Sequence, residues 1–281
     1  MHSRVSDGTD SPEELLQKVR EKGIDLFALS DHDDFKGCKE IISVRSPDDP
    51  LFLTGVEFSC KDEYGKYHIL GYNFDPNGAS IKQVVDLGHT YRINKVKARL
   101  DFIANEYGFT FPDEELEALF KLDNPGKPHI GNLMVKYGYA PNKKVAIEEY
   151  IDNIHFKSEY VRPEEAISGI LGSGGLPILA HPIFGDGDQL VLGDELEERV
   201  VRLKASGLLG LEGYYSGFSP KLRDEAIGLA GKYGMYITAG SDYHGTNKLV
   251  ILGDNGLDDI AFAPDGLRRF LEKVGLTEYI T

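Results

Sequence analysis

Along this chain, short and largely apolar runs alternate with longer stretches in which apolar residues recur at helical spacing. The runs at 24–30, 51–58, 67–72, 176–180, 208–214 and 235–239 are predicted strands. Apolar residues at nearly every position suit strands covered on both faces, as in a parallel α/β sheet. Ser11-Pro12-Glu13-Glu14 combines an N-cap, a first-turn proline and a capping-box glutamate, so it predicts a helix reaching about Lys22 and ended by Gly23. Arg162-Pro163-Glu164-Glu165 opens another, and helical spacing at 194–205 and 220–233 separates the later strands. A weak strand at 249–252 and a closing helix at 264–274 complete the pattern. Alternating strand and helix implies a parallel barrel or open sheet, and the barrel is favoured because one rim must be reached from many strands.

Between residues 77 and 161 the texture differs. A long charged stretch of helical type reaches Tyr107, Pro112-Asp113-Glu114-Glu115 opens a further helix, and 128–137 again has helical spacing. No buried-type strand is predicted there. The expected organisation is therefore a barrel made of 1–77 and 160–281, interrupted by a mostly helical unit at 78–159 that caps the substrate.

The strand ends carry the candidate chemistry. The first strand stops at Asp31-His32-Asp33-Asp34, the second reaches Glu57, 176–180 leads into His181, and 235–239 leads into Ser241-Asp242-Tyr243-His244. In parallel α/β folds the carboxyl ends of the strands form the functional rim. Adding His2, Asp7 and His68 gives eight candidate ligands: His2, Asp7, His32, Glu57, His68, His181, Asp242 and His244. Imidazole and carboxylate suit zinc, manganese or iron, and eight groups exceed what one four-coordinate ion requires, so two or three divalent ions are expected. Singly, each has a plainer reading: His68 or His181 as a hydrogen-bonded structural histidine, Asp7-Gly8 as a turn, Asp31 to Asp34 as a solvated cap. Recurrence at ends framed by buried runs favours the metal reading. Adjacent ions would provide a hydroxide nucleophile at neutral pH and neutralise transition-state charge.

Composition narrows the partners. With 281 residues, 41% of them hydrophobic, the chain can bury one barrel and a modest second unit. A net charge of −15 argues against gripping duplex DNA, although bound cations can reverse the local field for a small anion. Cys38 and Cys60 give no disulfide framework, no run approaches a membrane span, and no secretory signal precedes His2, so a soluble cytoplasmic protein is expected.

The motifs His2-Ser3 with Ser6-Asp7-Gly8, Leu29-Ser30-Asp31-His32-Asp33, Gly55-Val56-Glu57, His68-Ile69-Leu70-Gly71-Tyr72, Ala180-His181-Pro182 and Gly240-Ser241-Asp242-Tyr243-His244-Gly245 occur in one order along nearly the whole chain. In this the chain resembles the PHP family of polymerase and histidinol phosphatase metal-dependent phosphoesterases, in its branch with a helical insertion acting on nucleotide phosphates. The resemblance implies a distorted (β/α)7 barrel with a two- or three-metal site, ligand roles for all eight residues, and Asp33 as an orienter of a ligand histidine. It also implies substrate contacts from the insertion. Lys127 stands where the branch usually has Arg, beside His129 at a predicted helix start, and Arg92 lies where the branch carries a basic residue. The family pattern opens with His-x-His after a first strand, of which only His2 is matched here. A shortened chain or misassigned start is the expectation, with one metal weakly held if the chain begins at Met1.

The implied activity is hydrolysis of a phosphomonoester of a small nucleotide such as AMP or, more specifically, the 3′-phosphate of a nucleoside 3′,5′-bisphosphate. A hydroxide bridging two metals would attack, and the leaving oxygen would be protonated by metal-bound water or His181. Alternatives are a 5′-to-3′ exonuclease on short RNA or DNA oligonucleotides and a non-catalytic metal- or nucleotide-binding module. Tyr214-Tyr215, after a predicted strand, is read either as base-stacking or as barrel packing.

Overall fold

The computed structural model describes residues 1–122, 125–155, 159–185, 189–257 and 262–276. Its described residues divide into two compact units, Met1–Val85 with Val161–Thr281, and Asp86–Tyr160. In the first, α1 (Pro12–Lys22), β1 (Leu26–Leu29), α2 (Lys36–Val44), β2 (Leu51–Lys61) and β3 (Lys66–Tyr72) precede the long helix α3 (Ala79–Tyr107), which runs across the boundary. The second unit adds α4 (Asp113–Phe120), α5 (Lys127–Lys136) and a short α6 (Lys143–Val145) continued by π and 3₁₀ turns to Asn153. The first then resumes with α7 (Pro163–Gly172), β4 (Leu176–Leu179), α8 (Gly193–Ala205), β5 (Gly210–Tyr215), α9 (Pro220–Lys232), β6 (Tyr236–Gly240) and α10 (Asp265–Lys273).

The six strands follow chain order in one sheet, curled as a half-barrel. The pairs β1/β2, β4/β5 and β5/β6 are parallel, whereas β3 runs antiparallel to both β2 and β4. This corrects the all-parallel expectation. The turn between Lys61 and Lys66 is far too short for a helical crossover, so β3 must fold straight back on β2 as a hairpin. Asp62 stabilises that turn by accepting from the N–H groups of Tyr64 and Gly65. Nor is there a strand at 249–252: Leu249 and Ile251 are exposed and only Leu252 is buried. Six strands, not seven, form the sheet among the described residues.

The apolar runs do what their composition requires. β4 is buried at every position, and Leu53, Leu70, Tyr72, Leu176, Ile178 and Phe270 form one cluster of the core. Helix α1 carries the full capping box read from the sequence, with Glu14 N–H donating to the Ser11 hydroxyl and Ser11 N–H to the Glu14 carboxylate, and Gly23 closes it at φ 64°. At the strand edges, a cavity of about 420 Å³ is lined by Leu26 and Ala28 of β1 and Thr238 and Gly240 of β6, together with His2, Glu57 and Asp242. Met1 C=O accepts from Ser30 N–H and His2 N–H donates to Tyr243 C=O, so the first two residues bridge the chain just beyond β1 and β6. The second unit has its own core around Val96, Ile103, Ile130, Met134, Ala146 and Ile151. Among the described residues, no helix is long and apolar enough to cross a membrane.

Glycines tighten the sheet where backbones crowd. A Cβ on Gly55 in β2 would stand 2.4 Å from the Leu29 carbonyl oxygen, whereas one on Gly228 in α9 would meet nothing within 4 Å. Gly55→Ala is therefore expected to lower stability by about 1–3 kcal/mol through overpacking against rigid backbone. Gly228→Ala should raise it by about 0.5–1 kcal/mol through helix propensity. Denaturant midpoints of the two variants check both signs.

Candidate metal centre

The candidate ligands come from the N-terminal loop (His2, Asp7), from within β2 and β3 (Glu57, His68) and from the segments following β1, β4 and β6 (His32, His181, Asp242, His244). After β1 the chain passes Asp31 and His32 alongside β2: Glu57 N–H donates to Asp31 C=O and Asp33 N–H to Glu57 C=O, both at 3.0 Å, pairing His32 with Glu57 in a parallel bridge. His68 lies on β3, opposite Ser59. Ala180 N–H donates to His68 C=O at 3.0 Å, carrying the β3/β4 pairing up to the residue before His181. Asp242 and His244 follow β6, and Thr246 N–H donates to the Thr9 hydroxyl while the Asn247 amide donates to Asp7 C=O, tying that loop to the N-terminal one.

All eight predicted ligands converge. Three overlapping groups, His2/Asp7/His32/His244, His32/Glu57/His68 and His2/Glu57/Asp242, each place ligand atoms within 4.8 Å of one another. Glu57 is the hub: its Oε2 lies 3.0 Å from His2 Nε2, and its Oε1 lies 2.6 Å from His68 Nδ1 and 3.3 Å from His181 Nε2. Asp242 Oδ1 is 3.1 Å from His2 Nε2, and Asp7 Oδ1 is 3.2 Å from His244 Nε2. Three residues here hold left-handed backbone conformations that L side chains rarely adopt: Asp33 at φ 56°, His181 at 27° and Asp242 at 53°. Each such residue costs about 1–3 kcal/mol and persists only where its surroundings over-determine it.

The electrostatics suit a bound cation. Burial works against a charged His2, but hydrogen bonds to Asp242 and Glu57 outweigh it and push its pKa up to about 9. Burial also opposes charge on His68, and Glu57 more than offsets it, so that pKa too is raised. His32 goes the other way, pushed down to about 4 by burial. Desolvation disfavours ionised Glu57, Asp7 and Asp242, yet the surrounding imidazoles hold all three below the usual carboxylate range. Four buried ring nitrogens, His2 Nδ1, His32 Nδ1, His68 Nδ1 and His244 Nε2, have no hydrogen-bond partner. Two of them lie close to a carboxylate oxygen without the alignment a hydrogen bond needs, and orphaned buried polar atoms call for an explanation. A divalent cation fits: the nitrogens and carboxylates are the donor types that zinc, manganese and iron take.

The other predicted residues divide. Asp33 Oδ1 accepts from Ser59 N–H at 2.8 Å, and its charge helps raise His68. Arg92, Lys127 and His129 belong to the second unit. There Lys127 is ion-paired with Asp152, and His129 Nδ1 accepts from Gly126 N–H at 3.2 Å, closing the first turn of α5. That bond gives His129 a local capping role that its sequence position alone did not reveal.

Sequence reasoning missed Glu212, Lys248 and the buried Asp31. Asp31 accepts from Ser3 N–H at 2.7 Å and from the hydroxyls of Ser3 and Ser6, which fixes the N-terminal loop carrying His2 and Asp7. Glu212, on β5, accepts from His181 N–H at 2.8 Å. A Cβ on Gly240 would stand 2.1 Å from its Oε1, so glycine there makes room for the carboxylate. The signal for Glu212 was a lone carboxylate inside an otherwise apolar strand. Asp242 presents Oδ1 to His2, while its Oδ2 accepts from Tyr215 Oη at 3.0 Å and Lys248 Nζ at 2.7 Å.

A family model described as the PHP domain matches residues 1–160. A 3′,5′-nucleoside bisphosphate phosphatase from Chromobacterium violaceum is 27% identical, over 86% of this chain and 85% of its own. A 5′-3′ exoribonuclease from Haemophilus influenzae is 26% identical, over 90% of this chain and 92% of its own. A crystal structure from Bifidobacterium adolescentis, described as a metal-dependent phosphoesterase, superposes with a TM-score of 0.71 at 26% identity, covering 90% of this chain and 89% of that one.

Two consequences follow for the metal-free protein. Ligation requires unprotonated imidazole, so binding a divalent ion at pH 7 should displace the proton that His2 holds with its pKa near 9, together with the one favoured on His68. Calorimetry in buffers of different ionisation enthalpy should read release of about one proton or more. Burial, with some relief from His181, pushes Glu212 up from 4.5 to about 7. Its folded pKa is raised, so its contribution to stability is complete below pH 4.5 and is lost as pH rises through about 7. In chelator-treated protein Glu212→Gln should remove that loss, on the order of 3 kcal/mol between pH 5 and 8, as read from denaturation at the two pH values.

Proposed function

The chain belongs to the PHP domain family and is a hydrolase of phosphoric esters, and we propose that its substrate is a small nucleotide carrying a phosphomonoester. The specific substrate class is a nucleoside 3′,5′-bisphosphate that loses its 3′-phosphate. The observation that carries this reading is the convergence of seven imidazole and carboxylate side chains in three overlapping groups, with His181 3.3 Å from Glu57 and four orphaned ring nitrogens among them. The Chromobacterium relative, similar over most of both chains, supports the substrate class.

The three overlapping ligand groups support as many as three divalent ions of manganese, iron or zinc. When bound, such ions would polarise a phosphoryl oxygen, acidify the attacking water and neutralise charge developing in the transition state. The chain's own groups hold the geometry around them. Glu57 faces three histidines at once, Asp31 braces the loop that carries His2 and Asp7, and Tyr215 with Lys248 fixes the outer oxygen of Asp242. His181, locked by Glu212 through its backbone, is the imidazole we assign to protonate the leaving oxygen, and Asp33 acts on His68 through its charge. Arg92, Lys127 and His129 of the inserted helical unit, 78–159, are assigned to the second phosphate of the substrate. The resemblance of the Haemophilus relative keeps a second reading, 5′-to-3′ removal of nucleotides from short oligonucleotides.

Phosphate release from adenosine 3′,5′-bisphosphate by manganese-loaded protein tests the assignment. His32→Ala or Asp242→Ala should lower turnover at least about 100-fold and reduce bound metal, since losing even a residue that only supports a ligand weakens metal affinity or activity by factors of about 10–100. Unchanged turnover and metal content in both would remove the site. Lys127→Ala should reduce kcat/KM for the bisphosphate more than for an aryl monophosphate; equal losses would remove Lys127 from the phosphate assignment. Mononucleotide release from a short RNA with no release from the bisphosphate would favour the exonuclease reading.

A further inference from the structure

The two tyrosines ending β5 take opposite roles. Tyr214 is 2% exposed and packs under the guanidinium of Arg223, 5.7 Å from its ring centroid. Strand alternation sends Tyr215 to the other face, where its hydroxyl donates to Asp242 Oδ2 at 3.0 Å. Around Tyr215 stand two further half-buried rings, Phe184 at 5.8 Å and Phe218 at 5.2 Å, with Phe184 and Phe218 5.6 Å apart. This trio adjoins the metal centre directly. The His181 ring lies 5.5 Å from Tyr215 and 6.3 Å from Phe184.

Each ring is held by something other than its neighbours. Tyr215 is anchored through its hydroxyl. The segment carrying His181 and Phe184 is pinned by Arg199, a buried side chain on α8 that donates from Nη1 to Pro182 C=O and Phe184 C=O, both at 3.2 Å. Phe218 is set by a tight turn, its N–H donating to Tyr215 C=O at 2.9 Å, directly before Ser219 caps α9. The three rings are inclined to one another by 52–69°, so together they form an angled aromatic wall on which a flat ligand would stack against one ring face and meet the edges of the others; pre-positioned rings need no ordering on binding.

Resting on the phosphoesterase reading, we propose that Phe184, Tyr215 and Phe218 form the subsite for the nucleobase of the substrate, next to the imidazole of His181. Base stacking on aromatic side chains contributes about 1–3 kcal/mol per base and tolerates any base, because every base presents a π face. The wall therefore selects nucleotides over sugar phosphates lacking a base, without selecting among bases.

The test is calorimetric binding of AMP, which carries no 3′-phosphate to lose, and of ribose 5-phosphate to the manganese-loaded full chain, for wild type, Phe218→Ala and Phe218→Trp. Wild type should bind AMP more tightly than ribose 5-phosphate. Phe218→Ala should shrink that preference about tenfold, the equivalent of about 1.4 kcal/mol, and Phe218→Trp should keep it. Equal affinities in wild type, or a preference unchanged in Phe218→Ala, would overturn the subsite. Because binding is read without turnover, a base preference that behaves as expected in a protein that releases no phosphate when loaded with manganese would count against the phosphoesterase reading alone.

Discussion

Everything near the active end of this chain depends on one buried carboxylate. Glu57, 3% exposed, faces His2, His68 and His181 and is paired backbone to backbone with His32. An ionised carboxylate is costly to bury alone and tolerable when surrounded by cations or proton-bearing rings. In the metal-free protein protons on His2 and His68 do that work, at the expense of ring nitrogens left without partners. A divalent cation would satisfy the same carboxylate and the orphaned nitrogens together. That double requirement would tie the fold to a metal: the side chains that would gain most from an ion are those the fold has buried.

The sheet supplies the means. Glu57 sits within a strand that is eleven residues long and paired on both sides, so its position is fixed by the β2/β3 hairpin and by the parallel contact with β1. The His181 and Asp242 strand ends are bent sharply, at positive φ, and the strain is supported by contacts one layer out: Glu212 on the His181 N–H, Arg199 on the carbonyls after it, Tyr215 and Lys248 on Asp242. Backbone strained in this way is stable only because such an outer layer over-determines it.

That layering also explains what could be read without coordinates. His32, Glu57, His181, Asp242 and His244 stood out as candidates because each lies at or just beyond the end of an apolar run, a pattern that survives in one dimension. The α1 cap was equally legible, since its signal is local. What was lost depends on residues far apart in the chain. The antiparallel course of β3 follows from a short turn that was visible, yet its pairing with β4, more than a hundred residues away, was not. Helix α2 escaped prediction because Phe35 before it provides no side-chain cap. Glu212 hid inside an apolar run, and the choice between Tyr214 and Tyr215 needed the register of β5. At His129 the sequence showed a helix start that suits an anion, but not that the ring's Nδ1 accepts from the backbone of that same turn.

The chain's net charge of −15 and its anionic substrate class look opposed, and the site shows why they are compatible. Total charge governs long-range approach and is screened over about 8–10 Å at physiological salt, whereas binding is decided by charges within a few ångströms. There the unfavourable groups are Asp7, Glu57 and Asp242, and these are the carboxylates that bound cations would neutralise. Lys248, held against Asp242, adds a fixed positive charge at the same spot. The acidic residues that would repel a phosphate in the metal-free protein are thus the ones that make it attractive once divalent ions are bound, and affinity for the anion becomes conditional on the metal.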